Sequence, residues 1–148
     1  MSLEEILNRL EMPDDLMNAK WLPPIYGHPL FIARGIYHRY AGYYSGNPAE
    51  LFPPDYGEKS KEVLDLAGGA TAVIERAREV HAAGNMKLAC QLAEWVVKGE
   101  PTNREGWELY GLLFKERAEE EYNMQARGCW SSAVRKAIAA LEGLNGGD

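Results

Sequence analysis

The sequence predicts an all-α protein of antiparallel helical hairpins preceded by an aromatic, proline-rich arm. Three observations carry this reading. Apolar residues recur at helical spacing through the second half of the chain. Capping residues and glycines punctuate those stretches. Residues 21–56 stand apart, holding nine of the fifteen aromatic residues and six of the eight prolines. At 148 residues and 46% hydrophobic, the chain should bury roughly 70% of the surface its unfolded form exposes. We therefore expect a single domain, with N-terminal helices over 1–20, the arm over 21–56, helical hairpins over 57–142 and a fraying tail over 143–148.

At the N-terminus, Ser2 and Glu5 have the spacing of a capping box, which predicts a helix from Leu3 to about Glu11. Pro13 suits the first turn of a second helix, Pro13 to Lys20. Within the arm, Ala33, Ile36, Tyr37, Tyr40, Ala41 and Tyr44 recur at helical spacing and predict a helix from Pro29 to Tyr44 with an aromatic stripe. Ser45-Gly46-Asn47-Pro48 then turns the chain into an irregular segment through Phe52-Pro53-Pro54. A helix resumes near Glu58 and stops at Gly68-Gly69. Val73, Ala77 and Val80 mark the next, ending at Gly84, and Met86, Ala89, Ala93 and Val96 the one after, ending at Gly99. Thr102 and Glu105 read as a second capping box, opening a helix that buries Trp107, Tyr110, Gly111, Phe114 and Ala118. Trp130, Ala133, Val134, Ala137, Ile138 and Leu141 form the last stripe.

A tetratricopeptide frame of about 34 residues places Gly84 at the inter-helix turn, Ala89 at the helix crossing and Pro101 at the terminal proline. Trp107 and Gly111 continue the frame, which then fades. The expected architecture is thus a TPR-like right-handed array of about one and a half units. So short an array cannot bury its apolar faces alone. The cover is expected from segment 21–56, either of the same chain or of a second copy.

Sixteen Lys and Arg against 22 Asp and Glu give a net charge of -6, which disfavours nucleic acid and anionic membranes as partners. Neither a signal peptide nor a transmembrane stretch is legible, which favours a cytoplasmic location. Cys90 and Cys129 lie in apolar helical patterns and are expected to be buried free thiols. His28, His38 and His81 lack metal-ligand spacing, so no metal or other cofactor is expected in this chain. No nucleophile elbow, phosphate loop or paired-carboxylate signature occurs, and no catalytic residue is assigned. Glu119-Glu120-Glu121, after Lys115 and Arg117, reads as a solvated face with local charge pairs.

The segment from Tyr37 to Leu51, Tyr-His-Arg-Tyr-Ala-Gly-Tyr-Tyr-Ser-Gly-Asn-Pro-Ala-Glu-Leu, resembles the signature of the dimerisation domain of alkyl sulfatases, zinc hydrolases of the metallo-β-lactamase superfamily. Ala41, Tyr43 and Ser45 depart from the family pattern, while Gly68-Gly69, the hairpin from Gly84 to Pro101, and Arg127 with Ala133 extend the likeness over roughly residues 18–140. The resemblance implies a non-catalytic helical module that joins two subunits. The zinc of such enzymes would belong to a separate catalytic domain with an H-x-H-x-D-H motif, which this sequence does not contain. The leading expectation is a homodimer held through Tyr37, Tyr40, Tyr44, Asn47, Pro48 and Leu51, associated with a metallo-β-lactamase-type catalytic domain. A TPR-like adaptor that binds extended peptides is the alternative. A small hydrolase working through His38 or His81 is a third.

Overall fold

A computed structural model of the chain describes residues 1–17, 19–21 and 24–146. Its elements are α1 (Leu3–Arg9), α2 (Asp14–Met17), α3 (Pro29–Ala41), a 3-10 turn (Pro48–Glu50), α4 (Tyr56–Leu66), α5 (Ala70–Ala82), α6 (Met86–Gly99), α7 (Arg104–Glu120) and α8 (Met124–Asn145). Among the described residues there is no β-strand, so the protein is all-α. The chain forms two compact units: residues 1–53 with 122–126, and residues 54–121 with those from 127 on.

In the first unit, α1 begins as expected. The Ser2 hydroxyl accepts from the Glu5 N–H at 3.2 Å, and the Ser2 N–H donates to the Glu5 carboxylate at 2.7 Å. α2 is shorter than the expected Pro13–Lys20 helix, starting after Pro13 and running Asp14–Met17; residue 18 of that expected span lies outside the described residues. α1 packs against α3. α3 starts where Pro29 predicts, with the His28 imidazole accepting from the Leu30 N–H at 3.1 Å. It ends at Ala41 rather than Tyr44, because the chain turns at Gly42, whose N–H closes the last turn on the His38 carbonyl. The unit is completed from far along the sequence. Buried Asn123 donates to the Pro24 carbonyl at 2.7 Å, while its own carbonyl oxygen accepts from the Ala126 N–H at 3.0 Å and so caps α8. The Met124 N–H donates to the Ile25 carbonyl at 2.7 Å.

The second unit holds the hydrophobic core. α4 opens at Tyr56, two residues before the expected start, because the Asp55 carboxylate accepts from the Gly57 and Glu58 N–H groups at 2.9 and 3.2 Å. Gly68 and Gly69, at φ of 92° and 108°, make the turn into α5, a conformation that side chains other than glycine's resist. The hairpin of α5 and α6 turns at Gly84 and buries Val73, Ile74, Ala77, Ala89, Ala93 and Val96. α7 is capped by Asn103, which accepts from the Gly106 N–H at 2.9 Å, and not by Thr102 as the sequence suggests. Asparagine is at least as strong a cap, and it sits one residue closer to the helix. The buried face also differs from the expected one: Leu109 and Leu113 are buried with Tyr110 and Phe114, while Trp107, Gly111 and Ala118 are only half-buried.

The cover that the short hairpin array lacks is supplied within this unit by α4 and α8, through Leu64, Ala133 and Ala137 of the core. Close approach is achieved with glycine: a methyl group at Gly106 would stand 2.5 Å from Val96 Cγ1, and one at Gly99 would stand 2.9 Å from the Lys61 backbone nitrogen. Cys90 is buried as expected, but Cys129 is exposed, because the buried stripe of α8 runs through Ala126, Ala133 and Ala137 instead. α8 continues to Asn145, further than the expected tail allows, and the last two tail residues lie outside the described residues.

Burial, reinforced by the nearby Glu94 carboxylate, pushes the Tyr110 phenol from 10.0 up to about 12. The folded state then holds this proton more tightly than the unfolded chain. Stability from this group is fully present below pH 10 and is lost as pH rises through about 12. Denaturation midpoints measured at stepped alkaline pH should fall across that window, and less steeply in Tyr110→Phe.

Candidate functional site

The exposed apolar surface of the first unit is the feature that its own fold leaves unexplained. α3 buries none of its side chains completely. Leu30, Ala33 and Tyr37 are half-buried, whereas Ile32, Ile36 and Tyr40 are 56%, 55% and 84% exposed. These last three are four residues apart and therefore form one stripe along the helix. Beyond the helix end, Tyr43 and Phe52 are 90% and 95% exposed. Large side chains are left facing water where a solitary unit gains nothing from them, and a patch of this kind marks an association surface.

The six residues singled out from the sequence divide into two groups. Tyr40, Tyr44 and Leu51 are exposed. Tyr37, Asn47 and Pro48 have work inside the unit. The Tyr37 hydroxyl donates to the Tyr44 carbonyl at 2.9 Å, tying the end of α3 to the segment that follows it. Asn47 accepts from the Ala49 N–H at 3.1 Å, and Pro48 opens the 3-10 turn. Gly46, at φ 97°, lets this segment approach α1: a Cβ there would stand 3.1 Å from the Ser2 Cα, and the Leu3 N–H donates to the Ser45 carbonyl at 3.0 Å. The signature segment is thus pinned from both sides, and a cleft of about 250 Å³ lies beside it, lined in part by Leu3, His38, Tyr44 and Glu50. Removing one pin should be measurable. Tyr37→Phe is expected to cost about 0.5–1.5 kcal/mol of stability, read from chemical denaturation followed by the first unit's aromatic signals.

Ile32, Tyr43 and Phe52 were missed by the sequence reading. A stripe of apolar residues looks the same whether it faces a core or water; the expected stripe included Ile36 and Tyr40 but ran on through Ala33 and Tyr37, which are half-buried, and left out Ile32. Exposed large apolar residues outside the periodic helix, such as Phe52 among prolines, carry no local signal at all.

The two histidines considered for chemistry each sit in a local contact. His81 is engaged with Glu116, Nε2 to Oε2 at 2.7 Å. His38 sits in the first unit with its Nδ1 3.4 Å from the Gly42 carbonyl. Burial pushes the Cys90 thiol up, away from thiolate character, even though the Arg117 guanidinium beside it opposes the shift. Among the described residues, no group of three metal-ligating side chains is brought together, and no helix is long and apolar enough to cross a membrane.

Comparison with known proteins bears on the same segment. A family profile described as alkyl sulfatase dimerisation matches residues 2–138. The (R)-specific secondary-alkylsulfatase of a Pseudomonas species is 33% identical over 106 residues, covering 71% of this chain and 16% of that protein. The alkyl/aryl-sulfatase of Saccharomyces cerevisiae is 29% identical over 105 residues, covering 71% and 16%. Among solved structures, the stereoselective inverting sec-alkylsulfatase Pisa1 from Pseudomonas sp. superposes with a TM-score of 0.78 at 29% identity, over 96% of this chain and 22% of that one. A double mutant of the same sec-alkyl sulfatase superposes with a TM-score of 0.83 at 28% identity, over 97% and 22%. The chain therefore spans only a small part of these relatives' length, and by its match over nearly every residue it belongs to the alkyl sulfatase dimerisation family.

Proposed function

We propose that this chain is a self-association module, two copies of which join through the exposed face of the first unit. The observation that carries the reading is the bare stripe Ile32, Ile36 and Tyr40, together with exposed Tyr43, Leu51 and Phe52 in the following segment, on a chain whose family is described by dimerisation. A two-fold dimer would bury the patch against the same patch or its surroundings on the second copy, in a self-complementary interface. Tyrosine suits that role, since it offers large contact area for little rotamer entropy. Asn47, Pro48 and Tyr37 serve the interface indirectly, by fixing the loop that presents Leu51 and Tyr44.

The larger protein in which such a module acts would be a sulfuric ester hydrolase of the metallo-β-lactamase type. Its zinc would be held by a catalytic portion distinct from these residues. Size-exclusion chromatography with light scattering on the 148-residue chain tests the core of the reading. A mass near twice 16.5 kDa at micromolar concentration is the expected result, and a monomer there would sink it.

A further inference from the structure

Charge is divided unevenly within the first unit. Residues 1–15 carry five acids, Glu4, Glu5, Glu11, Asp14 and Asp15, against Arg9 alone. Residues 16–49 carry Lys20, Arg34 and Arg39 and not one acid. Yet the six ion pairs from Lys61–Asp65 to Lys115–Glu119 all fall in the second unit, and none involves Asp14, Asp15 or Arg39. Arg39, Asp14 and Asp15 are all exposed. Arg39 stands seven residues after Ile32 and three after Ile36, which places it on the edge of the bare stripe. Next to the acids the chain is apolar: Leu10 is 37% exposed and Met12 is half-buried.

An apolar stripe edged by an unpaired cation, and an apolar segment followed by unpaired acids, are complementary surfaces, and one copy carries both. We infer that in the dimer the segment Leu10–Asp15 of one copy lies along α3 of the other, with Arg39 facing Asp14 and Asp15 of the partner subunit, and that two-fold symmetry makes the contact twice. This rests on the dimer reading above and goes beyond it by assigning the register. Opposite charges at the rim steer the encounter and reject wrong registers more than they add affinity, so the contact is sensitive to salt.

The test is reciprocal charge reversal in the full chain. Arg39→Glu places like charges together at both contacts of its homodimer, and so does the double variant Asp14→Lys with Asp15→Lys. Mixing the two variants restores opposite charges at both contacts. Each variant alone is expected to dimerise about tenfold more weakly than the parent at low salt, and an equimolar mixture is expected to recover the parent affinity. Circular dichroism confirms that the exposed substitutions leave the helices intact. If the parent dimerises but neither variant weakens it, or both weaken it and mixing restores nothing, the register is wrong while the dimer stands. A monomeric parent would overturn the dimer reading itself, and the register with it.

Discussion

Tyr40→Ala is expected to weaken dimerisation by ~2–4 kcal/mol, roughly 30- to 1,000-fold in Kd, in the range seen when a buried interface aromatic is truncated. The same substitution should leave the unfolding of the isolated protomer almost unchanged, because Tyr40 is 84% exposed. The sequence alone allows the loss to fall on folding or on association. The structure separates them, since a side chain standing in water contributes little to the protomer and acquires its value only when a second surface covers it. Analytical ultracentrifugation across a concentration series reads the association term, and denaturation at concentrations below the parent's Kd reads the folding term. An unchanged dimer would place Tyr40 outside the interface and shift attention to Tyr43 and Phe52.

Leu113→Ala should act on the other unit and by the other route. Leu113 is fully buried at the centre of α7, and we expect its truncation to cost about 3–5 kcal/mol of stability, the upper part of the range for leucine. The reason lies in its surroundings. Six of the seventeen core residues are alanines, at positions 70, 77, 89, 93, 133 and 137, and the helices already meet at glycine on α6 and α7. Backbones that are already close cannot move in to fill a cavity, so the void stays open and its full cost is felt. Thermal unfolding checks the magnitude. A loss under about 1 kcal/mol would mean that the core relaxes more freely than its alanines suggest.

What could be read in advance follows from where each signal resides. Capping and glycine turns are local chemistry, and Ser2 with Glu5, Pro29, Gly68-Gly69 and Gly84 all stand where the sequence puts them. Competing local signals produced the errors: Thr102 and Asn103 are both good caps one residue apart, and on α7 the aromatic spacing of Trp107, Tyr110 and Phe114 drew the expected face away from Leu109 and Leu113. The signature segment pointed to the proposed surface, but the division of labour among its residues was not legible. Whether Tyr37 points at a neighbouring carbonyl or at a partner depends on how the chain curls after Gly42, which no periodicity encodes. Asn123 was invisible for a stronger reason. Its role as bridge to Pro24 exists only once residues 99 positions apart meet.

That separation sets a timetable. A chain emerging from a ribosome presents Pro24 and Ile25 early, but the carboxamide and amide that satisfy their carbonyls arrive only with Asn123 and Met124. At about 5–20 residues per second the wait is on the order of 5–20 seconds. Through that interval the aromatic stripe is already made while the unit bearing it is unfinished. Until Asn123 and Met124 arrive, that unit lacks two of the hydrogen bonds that close it.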